Sequence, residues 1–354
     1  MNTLLLFGMV AFLLWYFYTQ ILTISIKTTI SRELTESGEV AGADWMADLQ
    51  DLRVLDLPVI PGTHHSGVLN PRNLHSRVLW GWAQCQSTSI ESQLLFGVRF
   101  LDLRVRVFRN EVILSHRFLS DTSLNDALTT VKKFLSLHAT ETVLLLIRRD
   151  ARHDFSVSDA VRLAEVIINS NVPIYGTIDD PGAHDVRMHF HQENLGLDYL
   201  LVSDLAGHVV IFADETDFVL PPGSLDVYNN FPSSENRPVY IPHISNTVLT
   251  YVDIWREPTV VDAQSKIEEY LTHRYARGRT DMSSFGGVAL DSTFTLIGSI
   301  PDWPIRTNPE LNLWFLKNLG LNWKHKVKKE NPLGIVILDF ATFENIQDLV
   351  SYNV

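Results

Sequence analysis

A chain of 354 residues with 45% hydrophobic and 20% charged side chains holds enough apolar material for one large domain or two ordinary ones, and it excludes intrinsic disorder. Its formal net charge of -12 excludes a general nucleic-acid binder, which needs basic surface to neutralise phosphate, and leaves small molecules or lipids as expected partners. The single cysteine, Cys85, excludes an intrachain disulfide framework.

The first 26 residues contain no charged side chain. The run from Leu4 to Ile26 is long enough to cross a hydrocarbon core of roughly 30 Å. A cleaved signal peptide would show a basic start, a shorter apolar stretch and a small-residue cleavage site, so residues 1–26 read as an uncleaved hydrophobic helix that anchors the chain in a membrane. The alternative is secretion after signal-peptide cleavage. Lys27 and Arg32 follow the run and no basic residue precedes it, which places the remainder on the cytoplasmic side by the positive-inside rule. Residues 27–44 are small and polar, as a linker would be, and residues 45–354 form the expected domain.

Within that domain "LPVIPGT" reads as a strand that runs into His64 and His65. Neighbouring side chains on an extended chain point to opposite sides, so only one of the two histidines is expected in a shared pocket. "GVRFLDLRVRV" (97–107) alternates, with Leu101, Leu103, Val105 and Val107 on one side and Phe100, Asp102, Arg104 and Arg106 on the other. "VILSHRF" is a further strand ended by His116. In "TSLNDALTTVKKFLSLH" the residues Leu124, Leu128, Val131 and Leu135 share a helical face, with Ser123 as N-cap. "ETVLLLI" (141–147), "HVVIFA" (208–213), "GGVAL" (286–290) and "GIVILDF" (334–340) read as buried parallel strands, and "DAQSKIEEYLTHRYA" reads as a helix between two of them. This α/β alternation predicts a distorted (β/α) barrel, with a doubly wound open sheet as the alternative.

On such a strand Asp102 and Arg104 face one site together; a wet face of an antiparallel strand is the bland alternative. Asp339 ends an apolar strand, where burial of its charge requires a partner such as a histidine, unless it caps a helix. Two histidines, an arginine and strand-end carboxylates suit cleavage of a phosphodiester by an internal hydroxyl. One imidazole removes the hydroxyl proton, the other protonates the leaving group, and arginine matches the phosphate oxygens. An acid behind each histidine would set its tautomer.

At these residues the sequence resembles the X domain of phosphatidylinositol-specific phospholipase C, in its small single-domain, bacterial-like, metal-independent form. The motifs are "WMADLQ", "IPGTHHSG", "WAQCQSTSIESQLLFGVRFLDLRVRV", "LSHRF", "SLNDALTTVKKFLSLHATETVLLLIRRD" and "NPLGIVILDF". The resemblance implies a distorted barrel of TIM type that cleaves phosphatidylinositol into diacylglycerol and inositol 1,2-cyclic phosphate, with phospholipid and membrane as partners and without a cofactor. It implies His64 as general base held by Asp339, His116 as general acid, Arg104 on the phosphate and Asp102 in support. Arg104 stands where the calcium-dependent branch places a carboxylate, so no metal is implied: a guanidinium does not ligate a cation but supplies a similar positive charge. Arg148, Arg149, Asp253 and Trp255 match substrate-contacting positions. Two residues depart from the pattern. His65 replaces the family's usual aspartate beside the base; a neutral imidazole there can still hydrogen-bond His116, but two protonated ones would repel, so the pKa of that general acid is expected to fall. Asp214 replaces a basic residue at the inositol ring, and it would repel a phosphorylated head group. Those departures leave open a weak or inactive inositol-phosphate-binding scaffold, or a phosphodiesterase acting on another phospholipid.

Overall fold

The computed structural model describes residues 42–73, 80, 83–150, 156–175, 177–178, 190–191, 200–213, 236–240, 248–254, 260–277, 284–290, 304–329 and 331–354. The apolar run at 4–26, residues 27–41 of the linker, Asp214 and Trp255 lie outside them. Among the described residues no helix is long and apolar enough to cross a membrane.

In chain order the elements begin with β1 (Val59–Thr63), α1 (Ile90–Phe96), β2 (Phe100–Phe108), β3 (Glu111–His116), β4 (Phe118–Ser123), α2 (Leu124–Leu137), β5 (Val143–Arg149) and α3 (Val157–Ser170). They continue with the short pair β6 (Thr177–Ile178) and β7 (Phe190–His191), then α4 (Val202–Leu205), β8 (Val209–Ala213), β9 (Asn236–Tyr240), β10 (Val248–Ile254), α5 (Val260–Arg277) and β11 (Ser284–Leu290). Last come α6 (Pro304–Asn318), β12 (Gly334–Leu338) and α7 (Phe343–Val350).

The strands hydrogen-bond in the order β1-β12-β11-β10-β9-β8-β5-β2-β3-β4, and β1 also pairs with β2. That extra pairing decides between the two predicted architectures: the sheet closes on itself, as a barrel does and an open doubly wound sheet does not. Distortion enters at two places. β9 runs antiparallel to both β8 and β10. β2 begins beside β1 and ends as the first strand of the antiparallel β2-β3-β4 meander. The bland alternative for β2 does not hold where Asp102 and Arg104 sit, because that stretch pairs in parallel with β5.

Local sequence explains the elements that position the site. α2 starts where Ser123 and Asp126 form a reciprocal capping box, so two otherwise unpaired N–H groups are satisfied at the expected N-cap. α1 ends at Gly97, whose φ of 110° lets the chain turn at once into β2. The strands β1, β5 and β12 are buried over nearly their whole length, as apolar runs enclosed by barrel and helices should be.

The opposite, N-terminal end of the barrel is closed by a buried ion pair. Arg99 Nη2 lies 2.6 Å from Glu141 Oε2, both side chains are fully buried, and the guanidinium also donates to the carbonyls of Leu94 and Val98. It lies over the Phe134 ring, 4.8 Å from the centroid, and Glu141 accepts from the Met46 backbone. Burial raises the Glu141 carboxyl above its ordinary range while Arg99 opposes that rise. This pair ties the segment before β1 to the barrel floor, away from the strand ends that carry the site.

Candidate active site

Register brings the two ends of the chain together at the site. β1 and β12 run in parallel with Thr63 opposite Leu338, so the next residues, His64 and Asp339, emerge side by side. His64 N–H donates to the Leu338 carbonyl at 3.1 Å. Gln86 staples the same junction, donating from Nε2 to the carbonyls of His64 and Leu338, each at 2.8 Å. Gln93 of α1 braces the following turn by accepting from Thr63 Oγ1 and donating to the Ser66 carbonyl. Neither glutamine is marked in the sequence by periodicity or charge; the only signal was their presence in the segment that carries the resemblance.

His64 Nδ1 lies 3.0 Å from Asp339 Oδ1, both residues being about 1% exposed. A carboxylate only accepts, so the proton sits on Nδ1 and the Nε2 lone pair faces the pocket. There Arg104 donates to it from Nη2 at 3.0 Å, and Asp102 Oδ2 stands 3.6 Å away. Burial first and Arg104 second push the His64 pKa well below its ordinary value, which keeps the imidazole neutral. Asp339 is therefore a histidine partner; the helix-cap alternative falls, because α7 is capped by Thr342.

Asp102 is fully buried at the centre of this charge cluster, 3.7 Å from Arg104. Arg148 binds it with Nη2 at 3.0 Å and Nε at 3.2 Å. Burial by itself raises the Asp102 carboxyl, but Arg148, then Arg104 and His64, outweigh it and hold the group below the ordinary carboxylate range. This contact makes Arg148 a residue that positions Asp102. Arg149 follows it at the C-terminal end of β5, and Asp253 is placed on β10 opposite Ala289.

His116 ends β3 as expected, and its ring centroid is 6.3 Å from that of His64. Among the described residues no carboxylate hydrogen-bonds it. Its Nδ1 donates to the Ala83 carbonyl at 2.9 Å, with Cys85 Sγ at 3.3 Å. Asp150 accepts from Ser115 Oγ and the Arg117 backbone, fixing the turn that follows. Burial, followed by Arg104, lowers the His116 pKa to about 4.

His65 corrects two expectations. It enters the same pocket as His64, because its φ of 41° breaks the extended alternation that would have turned it away. It also makes no hydrogen bond to His116: the rings stack with centroids 4.0 Å apart and planes 21° from parallel, and both His65 nitrogens are buried without a partner. Burial, then Arg104, lowers its pKa well below the ordinary value, so stacked neutral rings replace the expected acid. Ligand atoms of His64, His65 and Cys85 lie within 4.8 Å of one another.

Fold and site together define a closed α/β barrel with a pocket of histidines and arginines at the C-terminal ends of its strands. Residues 72–167 match the family model described as phosphatidylinositol-specific phospholipase C, X domain. Among curated relatives, 1-phosphatidylinositol phosphodiesterase of Staphylococcus aureus (strain Newman) is 28% identical over 130 residues, covering 36% of this chain and 41% of the relative. PI-PLC X domain-containing protein 3 of Danio rerio is 30% identical over 149 residues, covering 34% and 45%. The chain spans between 16% and 45% of the length of the curated relatives it matches. Among solved structures, phosphatidylinositol-specific phospholipase C from Listeria monocytogenes superposes with a TM-score of 0.63 at 19% identity, covering 88% of this chain and 99% of that one. At that identity the likeness establishes the fold, a barrel of TIM type.

Proposed function

We propose that this protein is a metal-independent phosphodiesterase of the phospholipase C type that cleaves phosphatidylinositol to diacylglycerol and inositol 1,2-cyclic phosphate. The observation that carries the reading is His64, held through Nδ1 by buried Asp339 with Nε2 directed at Arg104, and facing His116 across 6.3 Å between ring centroids.

In the reaction, His64 Nε2 takes the proton of the inositol 2-hydroxyl as its oxygen attacks phosphorus. The bond from phosphorus to the glycerol oxygen breaks, and His116 gives that oxygen a proton from Nε2. Arg104 neutralises the negative charge that grows on the phosphate oxygens, and Asp339 stabilises the imidazolium formed on His64. Before substrate binds, Arg104 occupies the His64 lone pair. A phosphate is a stronger partner for the guanidinium, so its arrival frees the base. The same negative charge raises the His116 pKa from about 4 towards working pH, which the proton donor requires. Phosphatidylinositol or a related phospholipid in a membrane is the partner, and the apolar run at 4–26 is the proposed tether, with the domain on the cytoplasmic side.

The test is release of inositol cyclic phosphate from phosphatidylinositol vesicles by the purified protein with chelator present. Chelator-resistant turnover that disappears in both His64→Ala and His116→Ala supports the reading. Tight binding of inositol phosphates without turnover would favour the scaffold alternative, which the stacking of His65 on His116 supports.

A further inference from the structure

His65 is an active-site residue that the proposed reaction leaves unused. Its imidazole is about 1% exposed, and neither nitrogen has a partner. A buried polar group left unsatisfied is destabilising, and a ligand that took up these nitrogens would relieve that cost. Cys85 is equally unused by the reaction, about 3% exposed, and its sulfur lies within 4.8 Å of ligand atoms of His65 and His64.

We propose that His65 and Cys85, together with His64, form a binding site for a soft divalent cation of the Zn2+ kind, and that its occupation stops turnover by taking the general base as a ligand. The inhibitory part rests on the phosphodiesterase reading. One thiolate and two imidazoles select Zn2+ over Mg2+ or Ca2+, which prefer oxygen. Tetrahedral Zn2+ with bonds of about 2.0 Å to nitrogen and about 2.3 Å to sulfur holds its ligands roughly 3.5 Å apart. Side-chain movements of about an ångström would therefore close a set already within 4.8 Å. The second shell exists: His64 donates from Nδ1 to Asp339, the orientation that presents Nε2 to a metal. Asp102 and Asp339 supply negative charge nearby. Arg104 must leave Nε2, and its side chain, 19% exposed, has solvent to move into. Binding releases the Cys85 thiol proton to solvent. The ion bound in this way holds the lone pair needed to deprotonate the substrate.

The full chain, stripped of metal, is titrated with Co2+ and read for the thiolate-to-cobalt absorption band, and the rate of phosphatidylinositol hydrolysis is measured with and without Zn2+. Expected are one Co2+ per chain with the band present, its displacement by Zn2+, and a hydrolysis rate lowered about tenfold or more and restored by chelator. Cys85→Ser should lose the band and need about tenfold or more Zn2+ to halve its own rate, a loss at least as large as that of an outer-shell partner. If that variant does not fold, His65→Leu should lose stoichiometric Co2+ binding. Absence of the band in the unmodified protein, or a Zn2+ sensitivity unchanged in the variants, overturns the site. A band without loss of rate overturns the inhibition. The band reads the site even where no hydrolysis occurs, so failure of the phosphodiesterase reading would be seen separately.

Discussion

Asp339→Asn isolates the part of the site that rests on one contact. The carboxylate lies 3.0 Å from His64 Nδ1 with both residues buried, so screening by water is small. When His64 becomes imidazolium in the transition state, a pair of opposite charges about 4 Å apart at an effective dielectric constant near 20 is stabilised by about 4 kcal/mol. An amide keeps the volume and loses the charge; at about 1.4 kcal/mol per factor of ten, kcat should fall about a thousandfold. An amide oriented to donate would also drive the proton from Nδ1 to Nε2 and occupy the lone pair the reaction needs. KM should change little, because Asp339 touches His64 and no substrate atom in the proposed reaction. Initial rates of cyclic phosphate release give kcat and KM, and thermal unfolding of the same sample shows that the fold is kept. A kcat within tenfold of the unmodified protein would refute the reasoning that Asp339 stabilises the charged base.

Arg148→Met leaves Asp102 buried without its two-point partner, and urea unfolding should show a loss of about 3–5 kcal/mol. Glu141→Gln strands the Arg99 charge at the barrel floor and should cost a similar amount, with the rate per folded molecule unchanged. Stability should also fall on acidification below about pH 6.5. His64, His65 and His116 have folded pKa values below the unfolded value of about 6.5, so in that window the unfolded chain binds more protons. The urea midpoint is expected to drop between pH 7 and pH 5, less steeply in His65→Leu, and a flat profile would contradict burial of neutral imidazoles. Deleting residues 1–26 should leave hydrolysis of a soluble inositol phosphodiester intact while lowering the rate on vesicles, through loss of local concentration. Equal losses on both substrates would count against a tether.

Features that depend on neighbours along the chain were readable in the sequence. Asp102 and Arg104 share a face because a strand repeats every two residues, and Ser123 caps α2 because its hydroxyl reaches a backbone N–H three residues on. The buried strand at 334–338 was legible from its continuous apolar run. The tertiary structure decided the pairings. His64 meets Asp339 across 275 positions only because β1 and β12 lie in parallel register, and Arg148 meets Asp102 because β2 and β5 do. Gln86, stapling the β1 and β12 ends, left no local trace, since its two acceptors belong to strands that meet only in the closed barrel. His65 was assigned to the wrong side because alternation assumes extended backbone, and a single positive φ cancels it. Local periodicity records which way a side chain faces; which partner waits there depends on contacts whose sequence separation leaves no pattern to read.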